Sequence, residues 1–566
     1  MNKLWQFRTQ SSACPPLADT AQALGISPRL AGLLWQRGFT TLKDMDEFLS
    51  PGLRHLMRPA AIAGLTQAAE ALALSLGRGE SLVVWGDYDV DGITSTALIL
   101  DFLRLRGIEA GYYLPARLEE GYGLNAAGLE KLAAQGVKTV LTVDCGISAL
   151  AEAERARELG LNLIITDHHL PGPALPKAAA VANPKLCPGP GQDLAGVGVA
   201  FFLAGAVNRL LPGEPVDMRQ LLDLVAMGTL ADVVSLTGQN RILVKNGLLL
   251  MSEAKRPGVC ALKDVSGYNP KSAMEAGQVV FGLAPRINAA GRLGLAEAAL
   301  RLLLAQDMET ARPLAEALDQ MNVKRRQEEE AISAEAKVQA EEQAHLPGMV
   351  LFSPNWHQGV IGIVASRVVE AHYRPTLILT SEHDHIKGSG RSIPEFDLYL
   401  ALCACQDLLI SFGGHRQAAG LSLAPENLPA LRERFAKAAA DQLGLSRPLP
   451  SLCLEGELSF ADIHQPFLKE LELLGPYGCG NPEPVFASGP LSVRSRRAFG
   501  TNHVSLDVRD NQAGVTLRAK AWRMADKLGP QTSGQTLRLA FTPRLDTYNG
   551  LASIELSVRD FRAGDA

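Results

Sequence analysis

From Ser81 onward, short unbroken apolar runs alternate with stretches whose apolar residues recur at helical spacing. The runs are SLVVW (81–85), IEAGYYLP (108–115), VKTVLTVD (137–144) and LNLIITD (161–167). Between them lie STALILDFLRLRG (95–107), NAAGLEKLAAQG (125–136) and ALAEAERARELG (149–160), each closing on glycine, as helix C-termini prefer. Runs that are apolar throughout suit strands covered on both faces, whereas half-exposed strands alternate. The pattern therefore predicts a doubly wound α/β domain with a parallel sheet over residues 66–305.

Residues 306–345 predict one long helix, roughly 60 Å at ~1.5 Å per residue. Its centre, DQMNVKRRQEEEAISAEAKVQAEEQ, is polar nearly all round, which suits a helix bridging two domains, and the charge run KRRQEEE reads as a solvated face. A second α/β pattern over 346–447 contains MVLFS, GVIGIVASRVVEAH, PTLILT and the glycine-rich GSGRS and FGGHRQAAG. Residues 448–566 hold five short alternating segments: LSVRSRRAF, HVSLDVRD, GVTLRAKAW, TLRLAFTPRL and ASIELSVRD. Short strands with turn signals predict a small barrel of the OB type, a fold that binds single strands. Residues 1–65 read as short proline-punctuated helices without chemistry of their own, a packing collar.

Charge changes this picture at one end. The 566 residues carry a net −5, yet residues 491–566 hold 12 Lys/Arg against 7 Asp/Glu. A basic C-terminal piece on an acidic body suggests a polyanion dock beside a site rich in carboxylates, and Phe499, Trp522 and Tyr548 lie in that piece as candidate stacking residues. The 8 cysteines form no CxxC pair, which argues against zinc ribbons and disulfide frameworks and for a reducing cytoplasm. The longest charge-free apolar stretch, Leu194 to Asn208, is shorter than the 18 or so residues of a membrane span, and the first residues lack a signal-peptide core.

The chemistry concentrates where strands should end. WGDYDVDGITST places Asp87, Asp89 and Asp91 after the first strand, TVDCG places Asp144 after the third, and TDHH places Asp167, His168 and His169 after the fourth. In an open parallel sheet the carboxyl ends share one rim, where ligands bind. A lone aspartate after a strand usually caps a turn or helix. Several aspartates about 5 Å apart would instead repel by on the order of 3 kcal/mol per pair at an effective dielectric near 20. Such a cluster holds protons or binds cations. Carboxylates with imidazole and no thiolate suit Mg²⁺ or Mn²⁺, and this many acids can neutralise two ions per site. Two such ions support phosphodiester hydrolysis.

DYDVD, VDCG and TDHH, followed by Asp232 in GTLADVVSL, resemble the successive motifs of the DHH phosphoesterase superfamily. The resemblance implies that Asp89, Asp91, Asp144, His168 and Asp232 are metal ligands, with Asp144 bridging and Asp87 a further candidate. It implies that His169 contacts the scissile phosphate and that Asp167 orients a histidine. FGGHRQAAG with His415, NWHQGVIGIVASR with His357 and Arg367, and GSGRS with Ser389 and Arg391 resemble the DHH-associated domain and are expected to bind substrate phosphates. EEGYGLN (Gly121 to Asn125), PRINAAGR (Pro285 to Arg292) and GPYGCGNPEP (Gly475 to Pro484) are most similar to the superfamily's single-strand-specific DNA exonucleases. That likeness adds Arg286 and Asn288 as catalytic candidates and Arg117, Tyr122 and Asn125 as substrate-binding candidates. It implies 5′→3′ digestion to 5′-mononucleotides in recombination and repair. It further implies single-stranded DNA as substrate, a single-strand-binding protein and a helicase as partners, no membrane, and a monomer.

Two other readings compete. A phosphodiesterase of cyclic dinucleotides would need no strand-tracking barrel. A non-catalytic DNA-binding scaffold would bind polyanions better without the carboxylates.

Overall fold

The computed structural model describes residues 3–8, 17–116, 120–121, 123–292, 294–444, 447–546 and 552–564. Arg117, Tyr122 and Tyr548 lie outside the described residues. The chain divides into two compact units, Arg8–Asp319 with Leu454–Ala566, and Met1–Phe7 with Gln320–Cys453.

In the larger unit, strands β1 (Leu82–Trp85), β2 (Gly111–Tyr113), β3 (Thr139–Thr142), β4 (Asn162–Thr166) and β5 (Ala180–Ala182) form one sheet in the order β2-β1-β3-β4-β5. Every neighbouring pair is parallel. Helix α1 (Val90–Leu105) links β1 to β2, helix α2 (Ala126–Ala134) links β2 to β3, and helix α3 (Leu150–Glu158) links β3 to β4. One face of the sheet packs Val83, Trp85, Val140, Leu163 and Ile165 against Leu129, Leu132, Ala153 and Ala156 of α2 and α3. The opposite positions, Val84, Leu141 and Ile164, are equally buried, which explains why these strands read as continuous apolar runs. The chain leaves β1 toward β2 and then returns past it to β3. The connections therefore diverge at the carboxyl ends of β1 and β3 and open a crevice between them.

The sheet ends at Ala182, earlier than a domain running to residue 305 suggests. Helices α4 (Gly196–Leu210), α5 (Leu222–Ala231), α6 (Gly238–Ser252) and α7 (Ala284–Arg292) fill much of the remainder. Helix α8 (Met308–Glu342) follows, and the boundary between the units falls within it. It is not solvated all round. Ala311, Ala315 and Leu318, then Ile332, Ala336 and Ala340, form buried stripes at three- and four-residue spacing. The run KRRQEEE is likewise not wholly solvated: Arg325 and Glu329 pair at 3.0 Å with side chains 12% and 2% exposed, and Arg367 is a second cation on Glu329. One turn of helix brings Arg325 and Glu329 together, and the pairing offsets the cost of burying them.

The N-terminal helices pack at a specific place. Leu30, Leu33, Leu34, Met45, Phe48 and Leu49 share one core with the C-terminal region. That region is built on β11 (Leu491–Phe499), β12 (His503–Asp510), β13 (Val515–Ala521), β14 (Thr536–Asp546) and β15 (Ser553–Ala563), once strands β6–β10 of the smaller unit are counted. Pairings β11–β12, β12–β13, β13–β15, β15–β14 and β14–β11 close a five-stranded barrel, antiparallel except for β13–β15. This is the OB arrangement. The smaller unit carries β6 (Met349–Phe352), β7 (Thr376–Glu382), β8 (His385–Arg391), β9 (Leu409–Gly414) and β10 (Ala418–Leu423) in the order β9-β10-β8-β7-β6. Helix α9 (Ile361–His372) packs on β7 and β8.

Candidate metal centre

The carboxyl ends of β1, β3 and β4 bring their acids and histidines together at the crevice. Asp89 is the N-cap of α1, accepting from the Gly92 N–H at 3.0 Å, so its capping role and its place at the rim coexist. Asp91 lies in the first turn of the same helix and is buried. Asp144, two residues past β3, adopts φ 60°, a left-handed conformation that costs energy for a non-glycine residue and clusters at functional sites. Asp87, Asp89 and Asp144 form one group of potential ligand atoms within 4.8 Å of one another; Asp91, His168 and Asp232 form another; Asp144, His168 and His169 form a third. His168 Nε2 stands 3.1 Å from Asp144 Oδ1, 3.7 Å from Asp232 Oδ2 and 3.8 Å from Asp91 Oδ2.

Asp167 is turned differently. Its Oδ1 accepts from the His168 and His169 N–H groups and meets His169 Nδ1 at 2.7 Å, while Oδ2 accepts from the Ile147 N–H at 2.9 Å. Its geometry is that of a group that orients His169. Burial opposes ionisation of Asp167, but the hydrogen bond from His169 and those from the backbone outweigh it and hold its pKa below the usual value. Burial acts to lower the His169 pKa, and the Asp167 carboxylate raises it on balance.

The other carboxyls move the opposite way. Burial first, then the charges of Asp232 and Asp89, hold Asp91 well above the ordinary carboxylate range. Burial and the Asp91 charge do the same to Asp144, and burial raises Asp89. Burial lowers His168 to about 4, so its imidazole is neutral near pH 7 and available as a ligand. Asp232 Oδ2 is buried without a hydrogen-bond partner. Crowded carboxyl oxygens, a neutral imidazole and no thiolate make a donor set that fits Mg²⁺ or Mn²⁺.

One contributor is silent in the sequence. The first N–H groups of α4, those of Gly196 and Val197, donate to the two oxygens of Asp91 at 2.7 and 2.9 Å. A Cβ on Gly196 would lie 2.6 Å from Asp144 Oδ1, so this helix start approaches two acids as only glycine allows. The stretch from Leu194 that reads as merely apolar is thus the backbone support of the cluster. A GVG at a helix start is the only signal for it, since the donors are main-chain groups.

The remaining candidates fall into two sets. Helix α7 approaches the Asp87–Asp91 loop so closely that a Cβ on Gly291 would lie 2.1 Å from the Tyr88 carbonyl oxygen, and Asn288 is one helical turn earlier. Arg286 on the same helix pairs with Asp319 at 2.7 Å and donates to the Gly282 and Val265 carbonyls, which anchors α7. Asn125 is the N-cap of α2 and also donates to Glu120. In the smaller unit, Arg391 Nη1 donates to Ser389 Oγ at 3.1 Å. Both side chains lie against the first turn of α9, where a Cβ on Gly362 would come within 3.0 Å of Ser389 Oγ and 3.2 Å of Arg391 Nη2. His357 Nδ1 accepts from the Gly359 N–H just before that helix. Guanidinium, hydroxyl and helix N-terminus together suit an anion. Arg367 is paired with Glu329, and His415 is exposed between β9 and β10.

Comparison with known proteins matches three regions of the chain. Residues 81–229 match the DHH family, N-terminal domain; residues 345–441 match the DHHA1 domain; residues 454–560 match the RecJ OB domain. The single-stranded-DNA-specific exonuclease RecJ of Dickeya dadantii is 37% identical over 99% of both chains, and that of Escherichia coli is 34% identical over 94% of this chain and 95% of its own. The crystal structure of RecJ in complex with Mn²⁺ from Thermus thermophilus superimposes with a TM-score of 0.84 at 34% identity, covering 100% of this chain and 80% of that one. Likeness at this level, sustained from one end of the sequence to the other, means that the chain belongs to the RecJ family.

Proposed function

We propose that the chain is a divalent-metal-dependent exonuclease of single-stranded DNA, hydrolysing phosphodiester bonds at a centre of two Mn²⁺ or Mg²⁺ ions. It works 5′→3′ and releases 5′-mononucleotides in recombination and repair. The observation that carries this reading is the convergence of Asp87, Asp89, Asp91, Asp144, His168 and Asp232 into overlapping ligand groups within 4.8 Å. Asp144 belongs to two of the three groups, and His168 links one of these to the third, which supports Asp144 as the bridge. Ions bound there supply Lewis acidity to the phosphoryl oxygens and make water a nucleophile at neutral pH.

The chain's own groups do the rest. The N–H groups of Gly196 and Val197 fix the rotamer of Asp91 before any ligand arrives. Asp167 holds Nδ1 of His169 and so sets which ring edge meets the scissile phosphate, while its charge favours the protonated ring beside developing negative charge. Asn288 lies on the helix packed against Tyr88, which supports a role in orienting substrate. Ser389, Arg391 and the start of α9 take a strand phosphate, with His357 beside them. In the barrel, Phe499, His503 and Trp522 form one aromatic group, with ring centroids 5.3 Å apart for Phe499–Trp522 and 4.8 Å for His503–Trp522. Trp522 is 49% exposed, which supports base stacking. The barrel also favours long single strands over cyclic dinucleotides as substrate.

Single- and double-stranded oligonucleotides labelled at either end, digested with and without Mn²⁺, test this reading. Loss of a 5′ label as mononucleotide from single strands alone, abolished by chelation, is expected. Full activity in excess chelator, or equal digestion of blunt duplex, would overturn it.

A further inference from the structure

Among the proposed ligands, Asp232 alone comes from the end of a helix remote in sequence from the parallel sheet. It is the C-cap of α5, and five residues separate it from Gly238, where α6 begins. In the first half of this connection Val233 is 86% exposed. The second half is gripped by the chain segment that leads into the C-terminal barrel. The Leu236 N–H donates to the Cys479 carbonyl at 2.8 Å. A Cβ on Gly478 would lie 2.6 Å from Leu236 Cδ1, and one on Gly480 would lie 2.0 Å from Ser235 Oγ. Gly480 also has φ 71°, so conformation and contact both require glycine there.

The gripping turn is itself braced. Asn481 is 3% exposed, donates to the Leu474 and Pro476 carbonyls at 2.8 and 2.9 Å, and accepts from Arg37 Nη1 at 2.8 Å. From the other side, Arg241 of α6 donates to the Leu473 and Leu474 carbonyls, each at 3.0 Å. Asn240 of the same helix donates to the Ser235 carbonyl at 3.0 Å. A rigid turn is thus fastened to the helix that follows Asp232 and to the connection itself.

We propose that the turn Tyr477–Asn481 is a positioning element of the metal centre. By holding Ser235 and Leu236 it keeps Asp232 within reach of His168 and Asp91, so the barrel segment controls metal occupancy as well as contacting DNA. The proposal rests on the reading of Asp232 as a ligand of one of two ions. Metal–oxygen distances tolerate only a few tenths of an ångström, so a shift of about 1 Å at Ser235, passed back along three residues, is enough to loosen that ion.

The test is Gly480→Ala in the full-length protein, with Gly514→Ala as control. Gly514, in the barrel itself, has φ 70° but nothing within 4 Å of a Cβ, so it carries the backbone cost without the contact. Bound Mn²⁺ is counted by the loss of the free-ion electron paramagnetic resonance signal, and folding is followed by circular dichroism. Wild type and Gly514→Ala should bind two ions; Gly480→Ala should keep one tightly and bind the other about 10–100-fold more weakly, as loss of a supporting contact does. Ser235→Gly with Gly480→Ala, which removes the opposing Oγ and Cβ, should recover the second ion. Should Gly480→Ala not fold, Gly478→Ala displaces the same connection through Leu236, and adding Leu236→Ala should relieve it. Unchanged Mn²⁺ affinity in a folded Gly480→Ala or Gly478→Ala protein would overturn the proposal. A single ion in wild type would overturn the two-ion reading instead, and the positioning role would then stand or fall on whether Gly480→Ala weakens that ion.

Discussion

At Asp144 several demands meet in one residue: a left-handed backbone, burial, contact with His168 at 3.1 Å and close approach of Gly196. Asp144→Ala should therefore lower the turnover rate by several orders of magnitude while the fold persists, because the group shared between ligand sets is lost. Asp167→Asn keeps the shape of the side chain but weakens its hold on His169, and should cost only ~10–100-fold. Equal losses in two folded variants would contradict the division of roles drawn from their hydrogen bonds. The pKa directions give a second prediction. Asp91 and Asp144 have folded-state pKa values raised above the unfolded carboxylate range, so they favour the metal-free fold at low pH and lose that favour as pH rises through the folded values. A bound cation removes this penalty and displaces the protons. The rise in Tm caused by Mn²⁺ should grow as pH rises, with proton release detectable by calorimetry in buffers of different ionisation enthalpy. A rise independent of pH, with no proton released, would contradict it.

At the scale of elements, the barrel's aromatic group invites a cleaner experiment than truncation. Removing residues from about 450 onward would strip Leu30, Leu33, Leu34 and Phe48 of their shared core and leave buried Arg241 without the Leu473 and Leu474 carbonyls. Trp522→Ala spares all of these. It should weaken binding of a 40-mer by roughly 5–150-fold, the equivalent of ~1–3 kcal/mol of stacking, and leave cleavage of trinucleotides little changed. Equal losses on both substrates would give Trp522 a structural role. The parallel strands and their acidic ends were legible in the sequence because apolar runs and charged loops are written in side chains. The five barrel strands were legible for the same reason, through alternation. The start of α4 was not, since Gly196 and Val197 act through N–H groups that every residue but proline has. Nor was the partnership of residues 30–49 with the barrel, which pairs segments more than 400 positions apart. Arg325 and Glu329 read as solvated because a helix's charged face looks the same in sequence whether a third charge, here Arg367, covers it or water does.

For the whole molecule, the distribution of charge matters more than its sum. A net −5 would repel DNA, but the surplus of positive charge after residue 490 lies in the barrel that the strand is proposed to follow. Affinity for single strands should fall steeply with salt, with a slope of about −0.7 per phosphate contacted, measured as log K against log salt from 50 to 200 mM. Charge reversal of Arg518, an exposed barrel residue, should flatten that slope; an unchanged slope would place the strand elsewhere. Whether the protein hydrolyses single strands from a free end is decided by a competition. A linear and a circular single strand of the same sequence are mixed in one tube with Mn²⁺ and sampled over time. The linear strand should be reduced to mononucleotides while the circle stays intact; prompt cutting of the circle would make the protein an endonuclease.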